Sequence, residues 1–329
     1  PDKKLKQRRS RAIEEKESIR WIEATQAADD LLSSAAQVIV VGDREFDIYS
    51  QFARRPVGVE LIIRAAQNRK LADDERLFDA PTDWCAFGTM SIFVPPKRPG
   101  ERGRFAQVTV KAGRVCICKP RNGSSPADPK TVMLTYVEVN EPNPPSKKEQ
   151  VTWRLLTTLP VVGEIDEFAA AQDVVRLYRL RWRIEQVFRA MKSDGLRIEE
   201  TQVREAHRLF NLTAIALIGG ARTIQLVDAR DGSTRPATDV ADQNTIAAAN
   251  AIGPTLEGKT ERQKNPHEPE SLAWLCWIIA RLGGWNCYYK KPGPKTIRAG
   301  WTKLTERAAG YALAVAQQGY TLGLVKQNV

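Results

Sequence analysis

Histidine is nearly absent from this chain, with only His207 and His267 in 329 residues. So small a supply leaves few parts for a zinc site or a serine–histidine triad, and both residues read as surface or packing positions. Cysteine is sparse and odd in number: Cys85, Cys116, Cys118, Cys276 and Cys287. That argues against a disulfide framework and for a reducing compartment. Cys116 and Cys118 are two apart, which places both on one face of a strand. No apolar run is read as reaching the ~18 residues of a membrane span, and no signal peptide opens the chain. An initiator methionine is missing too. Position 1 is Pro1, so the sequence is expected to start inside a longer reading frame or after processing. No internal repeat or low-complexity tract is present.

Acid is the scarcer charge, 39 Asp+Glu against 50 Lys+Arg, for a net charge of +11 and a pI near 9.5. Such an excess favours a polyanionic partner, nucleic acid before membrane, because neutralised phosphates release counterions. An ordinary basic enzyme carries the same balance. At this length one core does not suffice, and two or more domains are expected.

The basic run KKLKQRRSRA (3–12) reads as a solvated end. A helix is expected from about Ile13 to Ala36, followed by the β-branched run Gln37–Asp43, the signature of a strand buried on both faces. A short helix over Glu45–Arg54 and a strand over Val59–Arg64 complete a βαβ unit. This puts Asp43 at the carboxyl tip of its first strand, where open α/β sheets place their chemistry. From 66 to 150, short β-type segments (Met90–Val94, Ala106–Lys111, Arg114–Cys118, Thr131–Val139) alternate with Pro/Gly-rich loops, predicting an all-β insertion. Its loops carry Lys97, Arg98, Arg102, Arg104, Lys119 and Arg121, either a phosphate-facing rim or solvated charge. Val151–Thr158 reads as a strand, Asp166 to about Ser193 as one long helix, and Ala206–Ala229 as an apolar helix. Residues 231–270 read as a linker with one helical piece near Thr245–Ala251. Ser271–Leu282 reads as a helix stopped by Gly283-Gly284, and a last helix spans about Trp301–Gln318.

The most informative segment is Tyr178-Arg179-Leu180-Arg181-Trp182-Arg183-Ile184-Glu185-Gln186-Val187-Phe188-Arg189-Ala190-Met191-Lys192. On a continuous helix at ~100° per residue, Tyr178, Arg181, Glu185 and Lys192 fall within about 60° of one another. A neighbouring stripe of Leu177, Leu180, Ile184, Phe188 and Met191 is expected to anchor that helix on the sheet. Carboxylates bind hard divalent cations, and Arg and Lys bind phosphate, so this row can hold a metal against a phosphodiester. An i,i+4 ion-pair ladder through Arg181, Glu185 and Arg189 accounts for the same charges, and Asp43 could simply cap the helix after it.

The spacing Tyr178-x2-Arg181-x3-Glu185-x6-Lys192 resembles the Y-R-E-K signature of DDE transposases of the IS-four type. Val41-Gly42-Asp43-Arg44-Glu45-x-Asp47-Ile48 is similar to the setting of that family's second catalytic aspartate. Glu15-Lys16-Glu17-Ser18 with Trp21 resembles the segment leading into that strand. Ser271-Leu272-x-Trp274 and Ala280-Arg281-Leu282-Gly283-Gly284 resemble the C-terminal domain of Tn-five-type members.

The resemblance implies an α/β fold: a ribonuclease H-like core interrupted by an all-β insertion, with a helical C-terminal domain. Residues 1–65 would be the first part of the core, truncated at its N-terminus, 66–150 the insertion, and 151–230 the second part with the Y-R-E-K helix. Residues 231–270 would be a linker, and 271–329 the helical domain, with a possible role in dimerisation. It further implies an insertion-sequence DNA transposase of a bacterial cytoplasm, which cuts and joins transposon-end DNA. Mg²⁺ is the expected cofactor, with Mn²⁺ able to substitute. Asp43 and Glu185 would be catalytic metal ligands. Tyr178, Arg181 and Lys192 would grip phosphates, and Trp153 would receive a base displaced from the stack; a sheet-core tryptophan is the alternative for Trp153. The partners implied are double-stranded DNA and a second copy of the chain, with no membrane. Trp274, Trp277, Leu282, Trp285 and Trp301 are more large apolar side chains than so short a region buries easily, which points either to a self-association surface or to a self-contained helical subdomain packed on the core.

One feature departs from the family. Only Asp2, Asp29 and Asp30 precede Asp43, and none suits the first catalytic aspartate, which the family carries on an early strand. The chain as given is therefore expected to be inactive. Two other readings follow: a truncated relative that binds DNA or full-length transposase as an inhibitor, and a ribonuclease H-like nuclease.

Overall fold

The computed structural model describes residues 11–96, 102–147, 149–192 and 197–326. Most of the basic run at 3–12, together with Asp2, Lys97 and Arg98, lies outside them. The chain forms two compact units, Pro1–Arg181 and Trp182–Val329.

The first unit is built on one six-stranded sheet. The expected N-terminal helix is shorter than its pattern: a 3₁₀ turn at Ile13–Glu15 and then α1 (Ile19–Leu31). Strand β1 (Val38–Gly42) leads through a 3₁₀ turn at Arg44–Phe46 and α2 (Tyr49–Ala53) to β2 (Val59–Arg64). β1 and β2 pair in parallel, Gly42 opposite Ile63, as the βαβ pattern predicts. Then come β3 (Gly88–Val94), β4 (Arg104–Cys118), β5 (Thr131–Asn140) and β6 (Thr152–Thr157). The segments expected at 106–111 and 114–118 are one long strand, β4. Ala112-Gly113 does not interrupt it, because Gly113 continues the ladder opposite Tyr136 while its bare face admits the Trp84 ring.

The strand order is β1-β2-β6-β5-β4-β3, with every pair after the first antiparallel. The strands of 66–150 thus extend the same sheet as the βαβ unit, with β6 joining the two. Period-two alternation sends Ile62, Val137, Val139 and Leu155 to one face, under α3 (Glu167–Arg179). Leu61, Ile63, Leu134, Tyr136 and Leu156 go to the other, under α2 and the segment around Leu71 and Leu77. Burial on both faces is why these strands read as continuous apolar runs.

α3 starts at the Asp166 cap, whose carboxylate accepts from the Ala169 amide at 2.8 Å. The single helix expected to continue to Ser193 is broken at Leu180–Arg181. There the backbone tightens to i→i−3 bonds, Leu180 N to Leu177 O and Arg181 N to Tyr178 O, and α4 (Trp182–Lys192) begins afresh.

The second unit is helical: α4, α5 (Ala206–Ala229), α6 (Gln243–Leu256), α7 (Leu272–Leu282) and α8 (Pro294–Lys326). The stretch 231–270 carries α6 and buries Ala237, Val240, Ile246 and Ala249 in one core with α7. Trp274, Trp277 and Leu282 are buried in that core, with Trp285 and Trp301 packed against it. They are therefore not an exposed surface, and the argument for self-association through them falls. By length and composition α5 can cross a membrane, contrary to the expectation that no such segment exists. Its uncharged stretch, residues 209–221, is shorter than the ~20 residues a span requires.

Candidate active site

Asp43 is the first residue beyond β1. Its backbone is extended, and its Oδ1 accepts from the Arg44 amide at 2.8 Å, capping the 3₁₀ turn. The capping reading is therefore correct, and it leaves the other oxygen for other work. That oxygen, Oδ2, lies 3.5 Å from Nη1 of Arg181, whose side chain is mostly buried while Asp43 is 43% exposed. Because Gly42 registers with Ile63, the next residue along β2, Arg64, comes beside Asp43. Arg64 donates through Nη2 to the Thr152 carbonyl at 3.3 Å.

Tyr178 closes the group. It is 2% exposed, and its hydroxyl has no hydrogen-bond partner of good geometry among the described residues, the Arg64 guanidinium being its weak neighbour. Burial pushes that hydroxyl above the ordinary tyrosine range, and Asp43 adds to the effect, while Arg64 and Arg181 pull the other way. The phenol is thus a proton donor held inside a cluster of two guanidinium groups and one carboxylate. Trp153 of β6 packs edge-on against it, ring centroids 5.5 Å apart. Trp153 thereby belongs to the core on the α3 face of the sheet as well as to the rim of this cluster.

The break at Leu180–Arg181 divides the expected row of four. Tyr178 and Arg181 belong to the first unit, Glu185 and Lys192 to the second. Glu185 stands in the first turn of α4, and Lys192 at its last residue pairs with Glu199 at 2.9 Å. α4 buries Ala190 and Met191. A methyl at Gly220 of α5 would touch Met191 and the Val187 carbonyl, so the two helices lie close there. The single-face argument assumed one unbroken helix, and that assumption fails.

Among the described residues, no three Asp, Glu, His or Cys side chains converge as a metal site. Around Asp43 the first unit supplies one carboxylate beside arginines. This fits one ligand position of a hydrated divalent cation, and it does not fit a complete cage. Two residues of the expected basic rim are engaged internally. Arg104 forks onto Glu141 at 2.5 and 2.9 Å, and Lys119 donates to the Pro126 and Asp128 carbonyls. Arg102 and Arg121 are exposed.

Sequence reasoning missed Arg64, although one signal was available: it ends the strand parallel to the one that ends at Asp43. It also left Asp47 as mere context. The family model described as the transposase DDE domain matches residues 22–218, a span that includes Asp43, Arg64, Trp153, Tyr178, Arg181, Glu185 and Lys192.

Proposed function

We propose, from the premise that this chain belongs to the transposase DDE domain family, that it derives from an enzyme that cuts and joins the DNA ends of an insertion sequence. The ribonuclease H-like reading of the sheet belongs to the same proposal. The observation that carries it is the cluster at the tips of β1 and β2, where a carboxylate, two guanidinium groups and a buried phenol gather. A phosphodiester needs positive charge and donors around its oxygens, which Arg64, Arg181 and Tyr178 offer. It also needs a carboxylate for a divalent cation, and Asp43 offers one.

Asp43 and Glu185 are the proposed ligands of Mg²⁺, with Mn²⁺ able to replace it. When bound, such an ion supplies Lewis acidity and a nucleophile of lowered pKa. Tyr178, Arg181 and Lys192 are the proposed holders of the phosphates beside the scissile bond. Trp153 offers a ring face for a displaced base, worth ~1–3 kcal/mol by stacking. Binding of two ends by two copies of the chain is part of the proposal, with no surface assigned to it.

The test is binding to the element's own terminal duplexes, compared with random duplex, by fluorescence anisotropy. Arg181→Ala is expected to weaken binding about tenfold or more, and Asp43→Ala to leave it equal or tighter, since Asp43 repels phosphate. The reverse pattern would sink the proposal. A second reading, a DNA-binding relative that inhibits full-length transposase, is favoured because no three carboxylates converge among the described residues. Suppression of transposition when the chain is co-expressed with an active transposase would distinguish it.

A further inference from the structure

The motif Asp43-Arg44-Glu45-Phe46-Asp47 carries two aspartates four residues apart, and the fold gives them opposite surroundings. Asp47 is buried, its side chain 0% exposed. Its Oδ2 accepts from the backbone amides of Ala66 and Gln67 at 2.7 and 2.9 Å, and its Oδ1 from Nε and Nη2 of Arg69 at 3.1 and 2.6 Å. Arg69 also donates to the Asp47 carbonyl at 2.7 Å, and is itself 4% exposed. A carboxylate has about four acceptor sites, so four donors leave none for a metal or a substrate. Asp47 is therefore a fastening point.

What it fastens is the turn that presents Asp43. The turn runs from the end of β1 through Arg44–Phe46, closed by Phe46 N to Asp43 O at 2.9 Å and Asp47 N to Arg44 O at 3.2 Å. At its far end Asp47 ties it to residues 66–69, the segment leaving β2. On its other side the Phe46 ring stacks on Trp21, centroids 4.4 Å apart. Both parallel strands are thereby locked together just where Asp43 and Arg64 emerge.

We propose that Asp47 and Arg69 are a positioning pair, which sets the place of the Asp43 carboxylate relative to Arg64 and Arg181. The pair acts through Asp43 and touches no reacting atom. The inference rests on the reading of Asp43 as a metal ligand only for its functional consequence; the fastening itself can be read without it.

The experiment uses the whole chain and four variants: Asp47→Asn, the milder Arg69→Lys, Asp43→Asn, and Ile92→Ala in β3, a core change in a strand at the other edge of the sheet. Two measurements are made below the melting temperature of each. One is hydrogen exchange by mass spectrometry on peptides covering 43–53 and, for comparison, 131–140. The other is Mn²⁺ binding read from water-proton relaxation. Asp47→Asn is expected to speed exchange in 43–53 at least tenfold beyond any change in 131–140, and to weaken Mn²⁺ binding about fivefold or more. Arg69→Lys should do the same to a smaller degree, and Ile92→Ala should leave both local readouts at the wild-type level. Uniform acceleration across both peptides, or equal Mn²⁺ loss in Ile92→Ala, would reduce the pair to general stability and overturn the proposal. Wild-type Mn²⁺ affinity in Asp43→Asn would instead sink the metal reading of Asp43, with the exchange data still deciding the fastening.

Discussion

Stability and binding make opposite demands on the hydroxyl of Tyr178. A buried hydroxyl without a partner is a cost to the folded protein, so removing it is neutral or favourable. Tyr178→Phe keeps the ring on Trp153 and should change stability by less than ~1 kcal/mol, in either direction. If the hydroxyl donates to a phosphate, DNA affinity should fall about tenfold, the value of one hydrogen bond to a charged group. Thermal unfolding and anisotropy on one preparation give both numbers. A loss of stability with unchanged affinity would make Tyr178 a core residue only. Gly42 makes the complementary case. A methyl there would lie 2.5 Å from Cβ and Cγ of Phe46, which Trp21 prevents from retreating. Gly42→Ala should therefore cost ~1–3 kcal/mol by overpacking, seen as a lower melting temperature. The place of Asp43 at a strand tip was legible because a β-branched run ends on it. Arg64 and Asp47 were not, since their roles come from parallel register and from a segment about twenty residues away.

At the scale of elements, legibility followed the strength of the local signal. β1 and β2 were found nearly to the residue, since a β-branched run buried on both faces leaves little choice. α5 was found with its ends, and Ser271 was found at the start of α7, where its hydroxyl accepts from the Trp274 amide at 3.1 Å. The break between α3 and α4 left no trace: Tyr178-Arg179-Leu180-Arg181-Trp182 contains neither Gly nor Pro, and every member tolerates a helix. α8 is longer than the expected Trp301–Gln318, starting at Pro294, whose fixed backbone angle suits a first helical turn. The packing of α7 on α8 was invisible for a different reason. It depends on two glycines whose neighbours lie far off in sequence. A Cβ on Gly300 would fall onto the Ile279 carbonyl, and one on Gly283 onto the Thr296 carbonyl, both backbone atoms that cannot swing away. Gly300→Ala should force the helices apart, costing ~3 kcal/mol or more in the second unit. Circular dichroism should show an earlier helical transition, whereas a wild-type melting curve would contradict the helix contact itself.

For the whole molecule the question is whether these 329 residues can do chemistry. Cleavage through a pair of divalent ions needs bridging negative charge, and on the proposed reading Asp43 and Glu185 would provide two carboxylates where three are wanted. Of the aspartates that precede Asp43, the two among the described residues do not supply the third. Asp29 and Asp30 lie on α1, and the Asp29 carboxylate sits against Gly58, just before β2 begins. In a parallel pair that is the end opposite Asp43, roughly 20 Å away along the strand. The chain made as given is therefore expected neither to nick nor to join DNA, a deficit of several kcal/mol in transition-state stabilisation and on the order of a thousandfold in rate. Its net charge of +11 should still hold duplex DNA, more weakly as salt rises. A supercoiled-plasmid assay with Mg²⁺ or Mn²⁺, run beside Glu185→Ala, decides the matter. Nicking that disappears in Glu185→Ala would mean that a third ligand exists within the chain, and that Asp43 and Glu185 are only part of the site.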